Sequence, residues 1–261
     1  MSPRPMSPYR LPDALLESLL HDDAPCGDAT TFALGIGQRP GRLIFRARQA
    51  MVLCGSEEAC RMGELRDLVS IGAPRESGSA LAAGDEILRL EGAAARLHVV
   101  WKTAQTLIEY LSGIASSTAA IKAVLCGGAS PHRLSLSETL LVFPEHRVFL
   151  EDDAPASIIE GLRRLWPERA IVVEADSEGE ARRWIDAGAD ILQLEKMSVE
   201  ALRGVVDYAA SGATATRIAA AGGVNAGNAE AYARAGARIL VTSAPYFAAP
   251  RDVAVTLEPC L

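Results

Sequence analysis

The sequence predicts an α/β protein, with a mixed α+β unit at the N-terminus followed by a barrel-like α/β domain. The first hundred residues contain short strand-like runs divided by glycines and polar turns. Residues 95–121 carry apolar side chains at helical spacing, which predicts a long helix joining the two parts. From residue 140 onward, short apolar runs alternate with amphipathic segments, the pattern of parallel strands covered by helices.

Length and composition fit a folded protein of one large or two modest domains. The chain has 261 residues and a mass of 27.6 kDa, and 49% of its residues are hydrophobic. These values exclude collagen-like, low-complexity and wholly disordered chains. The formal net charge of −7 gives no overall attraction to nucleic acids or anionic membranes, although a small anionic ligand could bind a local basic cluster.

The cysteines and the N-terminal residues indicate a protein of the reducing cytoplasm. Five cysteines occur, with no CxxC pair and no His/Cys spacing typical of zinc, so we expect buried thiols rather than disulfides or a structural metal. No run approaches the roughly 18 apolar residues of a membrane span, and the first twenty residues lack the apolar stretch of a signal peptide. We therefore expect a cytoplasmic protein with neither a nucleic-acid nor a membrane partner.

Local patterns justify the elements of the first half. A short helix is predicted at 11–20, and apolar runs predict strands at 43–48, 51–54 and 86–91. The stretch GDATT at 27–31 is interpreted as a helix N-cap or a loop. The segment 95–121 predicts one long helix or two consecutive helices, with a small-residue interruption at Ser112 and Gly113.

The second half predicts a repeated strand–helix pattern. Ser177 and Glu180 have the spacing of a capping box, and Gly188 and Gly236 occupy equivalent places where helices end before buried strands. In such a fold the chemistry is located at the carboxyl ends of the strands. Strands are predicted at 140–143, 170–175, 191–194, 217–220 and 238–242, and helices at 156–166, 178–187, 199–209 and 226–235.

Acidic residues follow two neighbouring predicted strands. Glu174 and Asp176 come at the end of one strand, and Glu195 and Lys196 come at the end of the next. The carboxylates of Glu174 and Glu195 would point into one mouth, where acidic groups hold Mg²⁺ or the hydroxyls of a sugar. A solvated surface position is the alternative for each carboxylate on its own.

The next two strand ends are small and glycine-rich. Gly222, Gly223 and Asn225 open a predicted helix, and its backbone N–H groups would form a phosphate cradle together with the loop at Ser243 and Ala244. The alternative is a tight turn in which Asn225 serves only as a helix N-cap.

A glycine-rich loop carries a histidine–arginine pair. His132 and Arg133 could bind a carboxylate or a phosphate, and Lys102 on the preceding helix could add a positive charge. The alternatives are a loop hydrogen bond for His132, a surface ion pair for Arg133 and solvation for Lys102. No Ser-His-Asp order, HExxH or GxxxxGK[ST] motif occurs, so nothing supports a serine hydrolase, a zincin or a P-loop protein.

Several sequence blocks, in order, resemble the type II phosphoribosyltransferases that include quinolinate phosphoribosyltransferase, also called nicotinate-nucleotide pyrophosphorylase (carboxylating). Together the blocks extend over nearly the whole chain. They are GDATT at 27–31, LSGIAS at 111–116, VLCGGASPHRLSLSETLL at 124–141, VVEAD at 172–176, ADILQLEK at 189–196 and AAAGGVN at 219–225.

The resemblance implies a homodimer with an active site at the interface. An N-terminal α+β sandwich, residues 1–101 joined by the tail 251–261, would face the partner's partly open α/β barrel, residues 102–250. The substrates would be phosphoribosyl pyrophosphate, with Mg²⁺, and a small aromatic acid. The residues already singled out then take specific roles.

The acid would be bound by His132, Arg133 and Lys102, with Lys102 reaching it from across the interface. Glu174 and Glu195 would lie by the ribose and the metal, and together with Lys102 they are the implied catalytic residues. Phosphate would be held by Gly222, Gly223, Asn225, Ser243 and Ala244.

Two departures from the family pattern bear on the substrate. The lysine that quinolinate enzymes carry in the strand after the His–Arg loop is Phe143 here, which removes a positive charge facing the substrate. The usual aspartate and asparagine after the ADIxxL strand are Glu195 and Lys196. These features and the ending TSAPYFAAP at 242–250 resemble the subgroup of pyrophosphorylases associated with molybdate-transport operons.

A third departure is a missing segment. The family has a strand with a Thr-Arg-Lys motif and a Pro-Gly-x-Arg helix before the VLCGG block, but here Ala123 is followed directly by Val124. Either the chain lacks this β-α unit or the sequence omits a segment of the protein, and we expect an omission because the loss of a barrel strand should open the core. An intact mass of 27.6 kDa would contradict that expectation.

The sequence therefore predicts a Mg²⁺-dependent phosphoribosyltransferase, an enzyme of the pentosyltransferase class, acting on a nitrogen-heterocycle acid. Phe143 makes a doubly charged acid a poor fit. One alternative is an inactive protein that binds a phosphorylated ligand or an oxyanion and serves molybdate uptake. Another is a phosphate-binding barrel isomerase or aldolase, for which Lys196 is the obvious lysine at a strand end.

Overall fold

A computed structural model describes residues 10–125, 139–150, 153–212 and 214–260. The chain forms two compact units, one of Met1–Ala119 with Phe247–Leu261 and the other of Ala120–Tyr246. The first contains an antiparallel sheet and the second a parallel sheet covered by helices, which confirms the predicted fold class. The boundary predicted after residue 101 lies inside a long helix, whereas the two units divide near residue 119.

The helices and strands of the described residues follow one another in this order. They are α1 (Asp13–Asp23), α2 (Ala29–Ala33), β1 (Pro40–Ala47), β2 (Met51–Val52), α3 (Ser56–Glu64), β3 (Val69–Ser70), β4 (Ala80–Leu81), β5 (Glu86–Ala93), α4 (Ala94–Leu125), β6 (Leu140–Val142), α5 (Pro144–Arg147), α6 (Pro155–Leu165), β7 (Ile171–Ala175), α7 (Glu178–Asp186), β8 (Ile191–Glu195), α8 (Val199–Ser211), β9 (Arg217–Ala221), α9 (Ala229–Arg234), β10 (Ile239–Leu240) and β11 (Val253–Pro259).

The sheet of the first unit has the strand order β11-β1-β5-β3, and its pairs are antiparallel. Every second residue of β1 from Gly41 to Ala47 is buried, and Leu43 and Phe45 enter a core that helices α1, α3 and α4 cover. A separate two-stranded ribbon joins β2 and β4. The C-terminal strand β11 completes this sheet by pairing with β1.

Helix α4 is one continuous helix of 32 residues, so the small residues at its centre do not interrupt it. The buried hydroxyl of Ser112 accepts a hydrogen bond from the backbone N–H of Cys54 and donates one to its carbonyl. A Cβ added at Gly113 would lie 2.5 Å from the carbonyl oxygen of Ala249. The small residues Ser112 and Gly113 therefore let the backbone at Cys54 and at Ala249 lie close to the helix. Residues 123 and 124 are consecutive within α4.

The second unit is built on a parallel sheet with the order β10-β9-β8-β7-β6. One face of this sheet is apolar and packs against helices α6, α7 and α8 through residues such as Val173, Leu192 and Leu194. Because side chains alternate along a strand, residues 174, 193 and 195 lie on the opposite face. Among the described strands, β6 is at one end of this order.

Three local predictions are wrong. The capping box does not form, because the side chain of Ser177 makes no capping hydrogen bond and Glu180 pairs with Arg147 instead. The helix predicted from residue 226 begins at Ala229. The prediction of buried thiols is wrong for Cys26, which is exposed. The four described cysteines form no disulfide.

Among the described residues, no helix combines the length and the apolar character needed to cross a bilayer.

Candidate active site

Two carboxylates and an amide share the face of the parallel sheet that is turned away from the helices. Glu174 of β7 is the register partner of Gln193 of β8, and Glu195 follows two residues later on the same side of β8. The Gln193 side chain donates a hydrogen bond from Nε2 to Oε2 of Glu174 over 3.0 Å. The structure thus brings the two predicted carboxylates to neighbouring strand ends, and it adds Gln193 between them.

The environment of Glu174 favours its protonated form. Partial burial raises the pKa of this carboxyl group, and the nearby negative charges of Glu195 and Glu145 raise it further. The hydrogen bond from Gln193 and the charge of Arg147 act in the opposite direction and lower the pKa. Glu174 therefore holds its proton more tightly than an ordinary glutamic acid, which suits a group that lies beside a second carboxylate.

Glu195 is packed against a glycine that admits no side chain. A Cβ on Gly222 would lie 2.5 Å from Oε1 of Glu195 and 2.6 Å from Cγ of Lys196, and Gly222 has a φ of +76°. The backbone of Lys196 also has a left-handed conformation, with a φ of +54°. Its ammonium lies 3.5 Å from Oε1 of Glu195, and its side chain is 79% exposed. The turn therefore needs glycine both for its backbone conformation and for the room that Glu195 occupies.

Gly222 and Gly223 form a turn, called here the glycine turn, which does not lead directly into a helix as predicted. Asn225 accepts a hydrogen bond on Oδ1 from the N–H of Gly227, and its own N–H donates to Oδ1 of Asn228. These local bonds compete with helix formation, so α9 starts only at Ala229 and has six residues. Gly222 and Gly223 therefore belong to a turn and do not open the helix directly, while phosphate binding at this turn stays a prediction.

Thr242 joins the glycine turn to the loop that contains Ser243 and Ala244. Its hydroxyl donates a 2.6 Å hydrogen bond to the carbonyl of Val224 and accepts a 3.0 Å bond from the N–H of Ala244. The two loops predicted to act together are therefore neighbours. The N–H of Ala244 is already engaged by Thr242.

Arg147 is a site residue that no sequence motif indicated. It donates from Nη1 to the carbonyl of Glu174 over 2.7 Å and from Nη2 to Glu180 over 2.5 Å, and its side chain is only 17% exposed. Its guanidinium also lies over the Trp184 ring, 5.7 Å from the centroid. Arg147 thus fixes α5, the end of β7 and α7 together. Gln193, also missed, had one signal: it is the polar residue inside the apolar run ILQLE.

A second cluster lies within the first unit and contains Lys102. It lines a cavity of about 490 Å³ together with Asp28, Thr31, His98 and Trp101. Asp28 caps α2 by accepting bonds from backbone N–H groups of that helix, and the hydroxyl of Thr31 contacts both Asp28 and Nδ1 of His98. The hydrogen bonds from Thr31 lower the pKa of Asp28. The GDATT motif is thus an N-cap, one of the two interpretations that the sequence allowed.

Lys102 makes two local contacts in this cavity. Its ammonium lies 4.5 Å from the centroid of the Trp101 ring and 3.4 Å from Oε1 of Gln105. The predicted substrate residues His132 and Arg133 lie outside the described residues.

Two family descriptions match this chain. The N-terminal domain of quinolinate phosphoribosyl transferase matches residues 28–112, and the C-terminal domain of the same family matches residues 115–256, more than half of the chain. The chain belongs to the quinolinate phosphoribosyl transferase family. The candidate carboxylates, Glu174 and Glu195, lie within the residues that match the C-terminal domain of this family.

Similar members of the quinolinate phosphoribosyl transferase family include two ModD proteins. A ModD protein of Escherichia coli O6:H1 is 35% identical over 278 aligned positions, covering 95% of this chain and 98% of the relative. That of Rhodobacter capsulatus is 38% identical over 263 positions, covering 88% and 99%. Because 278 aligned positions exceed the 261 residues of this chain, at least 17 of them have no residue here.

Solved structures share the fold. NadC from Streptococcus pyogenes has a TM-score of 0.84 at 21% identity, covering 97% of this chain and 100% of its own. The nicotinate-nucleotide pyrophosphorylase from Francisella tularensis has a TM-score of 0.82 at 19% identity, covering 95% and 98%. At these identities the similarity shows the architecture of the chain.

Proposed function

We propose that this protein is a phosphoribosyltransferase that uses phosphoribosyl pyrophosphate and a nitrogen-heterocycle acid and releases diphosphate. The observation that carries the proposal is the pair of carboxylates, Glu174 and Glu195, on one face of the parallel sheet beside the Gly222 turn. The names of the ModD relatives, which describe pyrophosphorylases, support the same reaction class.

In the proposed reaction a ring nitrogen of the acceptor forms a bond to the first carbon of the ribose as the bond from that carbon to diphosphate breaks. Positive charge develops on the ribose while diphosphate leaves with the bonding electrons. Glu195, held in place by Gly222, would accept hydrogen bonds from ribose hydroxyls and stabilise this positive charge. Catalysis would then depend on orientation and electrostatics rather than on a covalent intermediate.

The donor set of the site fits Mg²⁺ brought in by a diphosphate substrate. Carboxylate oxygens are hard ligands, and Mg²⁺ is held in such sites by one or two carboxylates plus substrate phosphates and water. The described residues contain no group of three His, Cys, Asp or Glu side chains arranged to hold a metal by themselves. Glu174 and Glu195 would therefore hold the ion jointly with the substrate, and the bound ion would neutralise charge on the leaving diphosphate.

Phosphate would be bound at the turn formed by Gly222 and Gly223, with the adjoining loop at Ser243 and Ala244 and with Asn225. Both glycines have positive φ, and a Cβ on Gly223 would meet no atom within 4 Å, so its backbone is open to close approach by a phosphate. His132 and Arg133 are proposed to bind the carboxylate of the acceptor. Phe143, at the end of β6, favours an acceptor with less negative charge than a dicarboxylic acid.

The test is diphosphate release from phosphoribosyl pyrophosphate and Mg²⁺ with a panel of acids that includes quinolinate and nicotinate. Glu195→Gln, which keeps the side-chain shape, should reduce turnover at least about 100-fold, because the carboxylate charge at the ribose is lost. Glu230→Gln is the matched control, since Glu230 is 57% exposed on α9 and pairs with Arg234. Arg133→Ala should abolish use of the acid. Saturable binding of phosphoribosyl pyrophosphate without turnover of any acid would contradict transferase activity.

We also propose a homodimer in which Lys102 serves the site of the partner. Lys102→Ala and Glu195→Gln proteins are mixed after subunit dissociation, so that about half of the re-formed dimers contain one of each subunit. If Lys102 acts across the interface, each mixed dimer has one intact site, and about a quarter of the wild-type activity returns. No recovery on mixing, with mixed dimers present, would refute this arrangement.

A further inference from the structure

Gln193 is a buried polar side chain with only part of its hydrogen-bonding capacity used. It lies within β8, between residues of the apolar core, and is 5% exposed. Its Nε2 donates to Glu174, but its Oε1 is buried and has no partner among the described residues. Buried polar atoms are almost always paired in folded proteins, so an unpaired amide oxygen needs an explanation.

The unpaired oxygen makes glutamine an unfavourable choice for the stability of the fold. An acceptor buried without a partner costs free energy, whereas an apolar side chain of similar volume in the same place does not. Met has nearly the volume and flexibility of Gln and fills irregular apolar space well. A strand selected only for packing would therefore carry Met or Leu at position 193.

What glutamine offers at this position is its donor group. Glu174 and Gln193 are register partners on neighbouring strands, so the amide reaches the carboxylate directly across the sheet. The carbonyl of Glu174 is held from the other side by Arg147. Arg147 therefore fixes the backbone of Glu174, and Gln193 fixes its carboxylate.

We propose that Gln193 is a positioning residue that orients the carboxylate of Glu174 in the site, and that it is kept for this purpose at a cost in fold stability. The inference rests on the proposed function only for the catalytic use of Glu174. The placement of the carboxylate is a property of the free protein and can be measured without turnover.

The decisive variant is Gln193→Met. It removes both the unpaired oxygen and the donor, so the melting temperature should equal or exceed that of the wild type. Loss of the donor should release the Glu174 carboxylate from its wild-type position, seen as a changed side-chain rotamer or as disorder of this side chain in a crystal structure of the variant. In the transferase assay kcat should fall about 10- to 100-fold, the usual effect of losing a residue that orients a site ligand.

Ser112→Ala is the matched control. Ser112 is also fully buried and polar, but its hydroxyl both accepts and donates a hydrogen bond within the first unit. This substitution leaves two backbone groups without their partner, so it should lower the melting temperature by several degrees. It should leave the position of the Glu174 carboxylate unchanged.

A second measurement uses the wild-type protein and does not depend on how Gln193→Met folds. The side-chain amide protons of Gln193 should exchange slowly with solvent in NMR spectra, since they are buried and bonded to the carboxylate of Glu174. The proposal is overturned if these protons exchange as fast as those of an exposed glutamine, or if Gln193→Met loses stability like the control and leaves the Glu174 carboxylate in its wild-type position. If the wild type shows no turnover, the proposed function fails while the melting and NMR results still decide the role of Gln193.

Discussion

Substitution of Gly222 by alanine tests how tightly the glycine turn is packed against Glu195. Two costs add. Placing a residue with a Cβ at a φ of +76° costs about 1–2 kcal/mol. The new Cβ would lie 2.5 Å from Oε1 of Glu195 and 2.6 Å from Cγ of Lys196, and relieving such overlap costs about 1–3 kcal/mol. We therefore expect Gly222→Ala to lower the free energy of unfolding by about 2–5 kcal/mol.

The neighbouring glycine separates these two costs. Gly223 also has a positive φ, +86°, but a Cβ there would meet no atom within 4 Å. Gly223→Ala should therefore lose only the backbone cost of about 1–2 kcal/mol. Urea unfolding of both variants measures the difference directly.

Removal of the Glu195 side chain should recover part of the loss. In a double-mutant cycle, Gly222→Ala should cost less in a Glu195→Ala background than in the wild type, with a coupling of about 0.5–3 kcal/mol. Equal costs for Gly222→Ala and Gly223→Ala, together with no coupling to position 195, would refute the close packing of the carboxylate against the turn.

Three further outcomes follow from the same site. Because the pKa of Glu174 is raised in the folded protein, folding favours the protonated form of this carboxyl group. The resulting gain in the free energy of unfolding is complete below 4.5, the ordinary pKa of the group, and is lost as the pH rises through the pKa of the folded state. Glu174→Gln should therefore be more stable than the wild type at pH 7, with the difference closing towards about pH 4 in urea titrations; a constant difference would contradict the raised pKa. Arg147→Met leaves the half-buried Glu180 without its partner and should cost about 2–4 kcal/mol, against less than about 0.5 kcal/mol for Arg234→Met, whose side chain is 77% exposed. Lys196→Asn should gain about 0.5–1 kcal/mol in urea unfolding, because asparagine tolerates the left-handed backbone better than lysine; a loss of stability would show that the 3.5 Å contact with Glu195 outweighs the strain.

Local periodicity was sufficient to predict the parallel sheet and to locate its carboxylates. Strands β7 and β8 occur within one residue of their predicted limits, because each is a short apolar run bounded by polar residues. Alternation along β8 then fixes the side on which Glu195 lies. The hydrogen bond between Gln193 and Glu174 depends on the register of two strands that are separated by a helix, and no local pattern encodes that register.

The remaining errors have similar physical causes. The start of α9 was misplaced because Asn225 and Asn228 bond to nearby backbone and hold the chain in turns beyond the glycines. Arg147 was missed because its three contacts come from α7, the end of β7 and a tryptophan ring, all distant in sequence. Glu180 has the spacing of a capping residue, but the guanidinium of Arg147 is the stronger partner.

The pairing of β1 with β11 has a consequence for synthesis on the ribosome. Seven registered pairs, from Gly41 with Pro259 to Ala47 with Val253, form one edge of β1. At about 5–20 residues per second, the roughly 200 residues between these strands take about 10–40 s to translate. During that time Ala120–Tyr246 emerges with every strand of its own sheet, whereas β1 has an open edge that could pair with another nascent chain. The inserted unit can therefore finish folding before the unit that begins the chain.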